Sequence, residues 1–302
     1  MIIVEGSVMN NMIRFYQMET DFRSVNCGLC NVFILEDGSF IIEDGGHFTD
    51  GQAEALHDFL SAHSEGRIHV AAWLFSHAHA DHIGAFIDYI RKFRDTEIKT
   101  LVYRFQQMDL SHVSADWKSN DEYAPLRELY VAVKECLPDV NIIHPVRGET
   151  YRFGSLSFEV LYTYLDAEEK ITDFNDHSIV YRADCGETRI LLLGDAAALA
   201  SRELLKAPEK LACDIVQVAH HGSFGMAKEV YELTGARVAL WPAARYEMAK
   251  NEKLSANRYL LFESDMKHIL SNDGTAEFCL PNKKLDFTIM PRVFPDKCCS
   301  IP

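Results

Sequence analysis

Short apolar runs alternate with segments of helical spacing along the chain. Asn31 to Leu35 and Ser39 to Ile42 are apolar and flank Glu36-Asp37-Gly38, which predicts a hairpin. Between Gln52 and His63, Ala55, Leu56, Phe59 and Leu60 recur at the spacing of an amphipathic helix. His69 to Phe75 is almost unbroken apolar sequence, the signature of a strand buried on both faces. Ile83, Phe86, Ile87 and Ile90 then share one face of a helix running to Phe93. The region from Thr100 to Pro145 is the least patterned. It offers a strand at Leu101-Val102-Tyr103, polar sequence from Gln106 to Glu122 that includes Trp117, and a helix from about Tyr123 to Cys136 stopped by Pro138. It reads as an irregular and helical excursion at about 100–145 that covers a site rather than supplying core. Tyr103, Trp117 and Tyr123 are packing residues on that reading.

Strands are predicted again at Ser157 to Tyr162, Ser178 to Arg182, Arg189 to Leu193, Ile215 to Ala219 and Val238 to Trp241. Helices are predicted near Ala197 to Lys206, Ala227 to Leu233 and Ala256 to Asp265. His268 to Leu270 and Thr275 to Leu280 look like the last strands, separated by the turn Asn272-Asp273-Gly274. Helices and strands in alternation imply a layered α/β or α+β protein. No repeat or linker divides it, so residues 1–302 are expected to form one domain.

Composition adds three points. Lys and Arg number 30 against 45 Asp and Glu, a net charge of −15, which disfavours long nucleic acid as a partner and favours a small-molecule substrate. No apolar run is long enough for a membrane span and the first residues show no leader pattern, so a cytoplasmic protein with reduced thiols is expected. Cys27-x-x-Cys30 has no second pair to complete a zinc site; Cys298-Cys299 is a poor substitute, and packed or surface thiols are the expectation. The sequence does not speak to oligomeric state.

The 13 histidines are unevenly placed. The strand ending at Phe75 runs into Ser76-His77-Ala78-His79-Ala80-Asp81-His82-Ile83-Gly84, three imidazoles and a carboxylate where a strand opens into a helix. These are ligands that borderline metals such as zinc prefer. His77 and His79 can aim at one point while Asp81 and His82 turn towards a second, so one segment can serve two metals. Two further apolar strands end in ligand types, at Gly194-Asp195 and at His220-His221-Gly222-Ser223. Asp195 has two oxygens and can bridge. His47, His57, His63, His69, His112, His144 and His268 lie outside these segments and receive no role.

His-x-His-x-Asp-His followed by Gly84 resembles the signature of the metallo-β-lactamase superfamily. Ile41-Ile42-Glu43-Asp44-Gly45-Gly46 resembles its first motif, Gly194-Asp195 its bridging aspartate and His221 its last histidine, in family order over roughly Asn31 to Ser223. The resemblance implies a four-layer αββα sandwich and two divalent metals, zinc foremost with manganese or iron as alternatives. It implies His77 and His79 on one metal, Asp81, His82 and His221 on the other, Asp195 between them and Asp44 hydrogen-bonded behind a ligand ring. His177, in Asn175-Asp176-His177-Ser178, stands where the family has its third motif and is either a ligand or a substrate contact. His79 stands where flavodiiron-type relatives carry Glu, which suits hydrolysis better than oxygen reduction.

His220-His221-Gly222-Ser223, without a Gly-His-Thr segment, is most similar to the branch holding the soluble domain of DNA-uptake competence proteins and the phosphorylcholine esterases. That branch implies phosphodiester hydrolysis by a hydroxide held between the metals. The branch's Asn-rich, Gly-His-Pro-like segment is absent; Trp241-Pro242-Ala243-Ala244-Arg245-Tyr246 stands there instead, so the substrate side differs. His220 is a candidate proton donor or phosphate contact, and Ser223 a candidate anion contact at the start of the next helix. Asp81, Asp195 and His220 are the expected catalytic residues. Hydrolysis of a carbonyl ester, thioester, lactone or β-lactam is the alternative chemistry, and a non-catalytic, metal-stabilised binding module the alternative class.

Overall fold

The computed structural model describes residues 12–21, 23, 25–49, 51–105, 123–167 and 174–294. In chain order its strands are β1 Ile13–Gln17, β2 Cys30–Ile34, β3 Phe40–Asp44, β4 His69–Leu74, β5 Glu97–Ile98, β6 Thr100–Val102, β7 Asn141–Ile143 and β8 Thr150–Phe153. They continue as β9 Leu156–Tyr162, β10 Val180–Cys185, β11 Thr188–Leu192, β12 Ile215–Gln217, β13 Val238–Trp241, β14 Lys267–Leu270, β15 Ala276–Leu280 and β16 Phe287–Ile289. The longer helices are α1 Gln52–Ala62, α2 Ala80–Lys92, α3 Ala124–Cys136, α4 Ala198–Leu204 and α5 Lys228–Thr234.

Two mixed sheets pack face to face. One has the order β16-β15-β1-β2-β3-β4-β6-β7, with β5 paired to β4; the other runs β14-β13-β12-β11-β10-β9-β8. Alternation along each strand explains the layering. In β3, Ile41 points into the core between the sheets, while Phe40 and Ile42 point outward beneath helices. That outer layer is covered by Leu56 and Leu60 of α1, Phe86 and Ile90 of α2, and Leu126 and Leu129 of α3. On the far side, Ala200 and Leu204 of α4 and Val230 and Tyr231 of α5 cover the second sheet. The result is helix, sheet, sheet, helix, an α+β architecture. Strands β3 and β4 are apolar almost throughout because both of their faces are covered.

Three expectations need correction. The 100–145 region is not an excursion from the core: β6 and β7 extend the first sheet, and α3 buries Leu126, Leu129, Ala132 and Val133. Trp117, His112 and the polar stretch from Gln106 to Glu122 lie outside the described residues. The two strands expected to be last are followed by a further one, β16, and lie in different sheets: β14 joins β13 in the second while β15 pairs with β1 in the first. The helix predicted at Ala256 to Asp265 is one turn, Ser255–Arg258, followed by a wider π turn, Tyr259–Glu263. No helix among the described residues is long and apolar enough to cross a membrane.

The site is positioned by strand direction. Strand β4 is parallel to β3, and β11, β12, β13 and β14 are mutually parallel, so their carboxyl ends collect at one edge. A hydrogen bond from Ile179 N to Ser76 O (3.0 Å) ties the two sheets together at this edge, and one from His220 N to Gly194 O (3.1 Å) joins the exits of β12 and β11 within the second.

Candidate metal centre

Helix α2 begins at Ala80, earlier than its apolar face suggests, so Asp81 and His82 sit in its first turn while His77 and His79 precede it. This break in backbone direction separates the two pairs. Opposite them, β11 delivers Asp195 through a turn at Gly194 (φ 53°), where a Cβ would lie 2.6 Å from Ser76 Cβ. Only a glycine allows that approach of the two sheets.

Two groups of donor atoms converge. Asp81, His82, Asp195 and His221 form one; His77, His79 and Asp195 form the other; within each, the candidate ligand atoms all lie within 4.8 Å of one another. Asp195 belongs to both. Its Oδ2 lies 3.2 Å from His221 Nε2 and 3.7 Å from His77 Nε2, and its Oδ1 lies 3.2 Å from His82 Nε2. Asp81 Oδ2 lies 3.0 Å from His221 Nε2 and 3.9 Å from His82 Nε2.

The tautomers follow from the outer partners. His82 Nδ1 donates to Asp44 Oδ2 (2.7 Å), and His221 Nδ1 donates to the Pro242 carbonyl (2.8 Å). Both Nε2 atoms are therefore turned inward, 3.2 Å apart. His77 Nε2 and His79 Nδ1 face each other in the same way at 2.9 Å. At His82 and His221, where both inward nitrogens carry lone pairs, they repel unless a proton or a metal cation lies between them; at His77 and His79 one nitrogen can donate to the other. Among the described residues the buried Asp195 Oδ1 has no hydrogen-bond partner but His82 Nε2, 3.2 Å away, which donates only when protonated; without that proton an electrophile must meet the oxygen. These residues fit divalent cations: neutral imidazoles with carboxylates, without thiolate, suit zinc, manganese or iron.

The electrostatics agree. Burial works against a charged His82, but Asp195, Asp44 and Asp81 overcome it and push its pKa up to about 10. Burial likewise opposes charge on His221, and Asp195 leads the groups that raise it well above the ordinary value. Burial and the neighbouring His82 and His79 hold His77 well below its ordinary value. Burial would raise Asp195 and Asp81, yet His221 and His82 hold both carboxyls well below the usual range. In the metal-free protein, a proton on His82 takes the place of cationic charge.

Asp44 carries its carboxylate on a left-handed residue (φ 55°) and binds Ser76 N (2.9 Å), Ser76 Oγ (2.7 Å) and His82. The turn after β12 is also left-handed, at His220 (φ 51°) and His221 (φ 55°), each at roughly 1–3 kcal/mol of backbone strain. That turn points the His221 ring into the site. His220 is half-buried beside it, and its Nδ1 has no hydrogen bond among the described residues.

Two candidates lie outside the donor groups. His177 is buried but belongs to neither donor group; its ring packs against Tyr164 (5.0 Å) and Phe174 (5.6 Å). Ser223 does not start a helix, because α5 begins at Lys228, and its N–H is already given to His220 O (2.6 Å). Sequence reasoning also missed several residues. Ser76 links Asp44 to the ligand rings, with its Oγ 3.1 Å from His77 Nδ1. Ser178 Oγ accepts from Asp195 N (3.1 Å). Cys27 Sγ donates to Asp81 Oδ2 at 3.1 Å, and Leu29 N bonds to Asp81 O (3.1 Å). The Cys27-x-x-Cys30 spacing gave no hint of this; Cys30 is buried in the core beneath the helices, and both thiols are free.

Comparison with known proteins places this geometry. The family model of the metallo-β-lactamase superfamily matches residues 25–233. The uncharacterized protein YcaI of Escherichia coli strain K12 is 32% identical over 103 residues, which are 33% of this chain and 13% of that protein. The metallo-β-lactamase fold protein YhfI of Bacillus subtilis superposes with a TM-score of 0.51 at 13% identity, over 85% of this chain and 97% of that one. A long form RNase Z from yeast gives 0.52 at 9% identity, over 95% of this chain and 51% of that one. At such identities the structural likeness is one of fold. The family match covers every residue of both donor groups, and the chain belongs to the metallo-β-lactamase superfamily, most of whose members are metal-dependent hydrolases.

Proposed function

We propose that this protein is a dinuclear metal-dependent hydrolase of a small phosphodiester. The observation that carries the reading is the pair of donor groups sharing Asp195. His77, His79 and Asp195 would hold one metal; Asp81, His82, His221 and Asp195 would hold the other. When bound, two such metals supply a water of lowered pKa and an electrophilic pull on the phosphoryl oxygen.

The chain's own residues supply the positioning. Asp44 fixes the His82 tautomer and the Pro242 carbonyl fixes that of His221, so both rings present Nε2 without rearrangement. Asp195 keeps the two groups at a fixed separation. His220, held by its strained turn next to His221, would give a proton to a leaving oxygen. The −15 charge supports a small diester over a long polyanion, and a cytoplasmic setting belongs to the same proposal.

The test is hydrolysis of bis(p-nitrophenyl) phosphate and of a thioester before chelation, after it, and after zinc or manganese is restored. Chelator-sensitive, metal-restored diester cleavage is expected. Thioester turnover without diester turnover would overturn the substrate class. No turnover of either ester with two metals bound would overturn the enzyme reading.

A further inference from the structure

The interior between the sheets is apolar along most of its length but changes character at the metal-bearing edge. On the inner face of the first sheet, Ile13 and Phe15 lead to Gln17 in β1, Phe33 is preceded by Asn31 in β2, and Ile41 leads to Glu43 in β3. Register sets Gln17 opposite Asn31 and Asn31 opposite Glu43, so the three make a row across neighbouring strands. From the second sheet, Tyr181 enters the same core between Ile179 and Ala183. Burial raises its phenol well above the ordinary value, and the acids Tyr151, Glu43 and Asp44 add to the rise. Ser271 lies where the chain leaves β14 to cross towards Ala276, the partner of Gln17.

All five side chains are at most 1% exposed. Asn31 Nδ2 donates to Glu43 Oε2 (2.7 Å). Six other atoms have no partner among the described residues: Gln17 Nε2 and Oε1, Asn31 Oδ1, Glu43 Oε1, Tyr181 Oη and Ser271 Oγ. Gln217, whose strand ends at the same edge, is by contrast fully used, accepting from Leu193 N and donating to the Gly194 and Val218 carbonyls. Six orphaned atoms would together offset most of a domain's net stability, so a partner must be present.

We propose that a cluster of internal water molecules occupies this end of the sandwich, bonded to Gln17, Asn31, Glu43, Tyr181 and Ser271. Water is favoured over a cation because the orphaned set includes an amide donor and two hydroxyls, and only water can both donate and accept among them. Burial, with Asp44 beside it, pushes Glu43 up to about 8, which leaves it a proton to donate at neutral pH. Glu43 immediately precedes Asp44 and points to the opposite face, so the waters brace the strand end that holds His82.

The test reads solvent and stability rather than catalysis, and so stands apart from the hydrolase reading. A crystal structure of the full chain should show ordered waters bonded to Gln17, Glu43 and Tyr181. Tyr181→Phe should lower the melting temperature by about 2–4 °C, because it takes a partner from a bound water. In a dry interior the same change removes an orphaned hydroxyl and raises the melting temperature. Solvent-free density, direct pairing of Gln17 with Tyr181, or a raised melting temperature would each overturn the proposal.

Discussion

Replacing Asp195 with alanine is the most informative single change, because that carboxylate is the member common to both donor groups. Asp195 is 1% exposed and lies within 3.2 Å of both His82 and His221. Removing one partner of a buried charged set costs about 3–5 kcal/mol when the others stay charged. A chain of 302 residues has an unfolding entropy near 0.6 kcal/mol per degree, so the metal-free variant should melt roughly 5–8 °C below the metal-free parent. Deprotonation of His82 would relieve part of this, which makes the figure an upper range. The larger effect concerns metal: one group falls to three donors and the other to two. Metal analysis after dialysis against micromolar zinc should find fewer than one ion per chain, with diester cleavage lost alongside. A variant that keeps two ions and full activity would refute the assignment of Asp195 to both groups.

Five other outcomes follow from the same geometry. Asp44→Asn should weaken metal binding by about 10–100-fold in chelator competition, because an amide at the His82 Nδ1 contact no longer enforces the tautomer; unchanged affinity would remove Asp44 from the site. His82, at about 10, is protonated near pH 7.5, so filling its group should release at least one proton, read from the buffer dependence of calorimetric heats. The same raised His82 stabilises the metal-free fold fully below about pH 6.5; that contribution should fade as pH rises towards 10, a loss that denaturant titrations of the chelated protein would detect. Gly84→Ala would set a Cβ 2.5 Å from Phe48 N, a backbone atom with little freedom to move; a loss of about 1–3 kcal/mol and weaker metal binding through the displaced first turns of α2 are expected. His220→Ala should keep both metals and lower kcat by about 10²–10⁴-fold if the ring donates the leaving-group proton; an unchanged kcat would deny it that role.

The parts of this molecule that were readable in advance are those whose causes are local. His77, His79, Asp81 and His82 sit within one strand exit and helix start, so their convergence follows from a single bend. Strands β3 and β4 declared themselves because two covered faces demand unbroken apolar sequence. Strand β6 was expected at Leu101-Val102-Tyr103, but β7, also three residues long, is too short for periodicity to register, and without it α3 looked detached from the core that Leu126 and Leu129 help to build. The Asn272-Asp273-Gly274 turn has hairpin chemistry, but the partner of each flanking strand was chosen by distant sequence, β13 on one side and β1 on the other. Cys27 and the Pro242 carbonyl reach the site only through tertiary packing, so no spacing rule could have located them.

The meeting of two sheet exits has a consequence for how the protein forms. His82 and His221 face each other across 139 positions of chain, and each sheet contributes only part of each donor group. Neither part is a complete chelate, so a cation has little to grip until the two sheets have docked. Metal would then act as a late rivet rather than a nucleus. It would slow the parting of the sheets far more than it hastens their assembly, and the loaded protein would owe its persistence chiefly to a slow rate of opening.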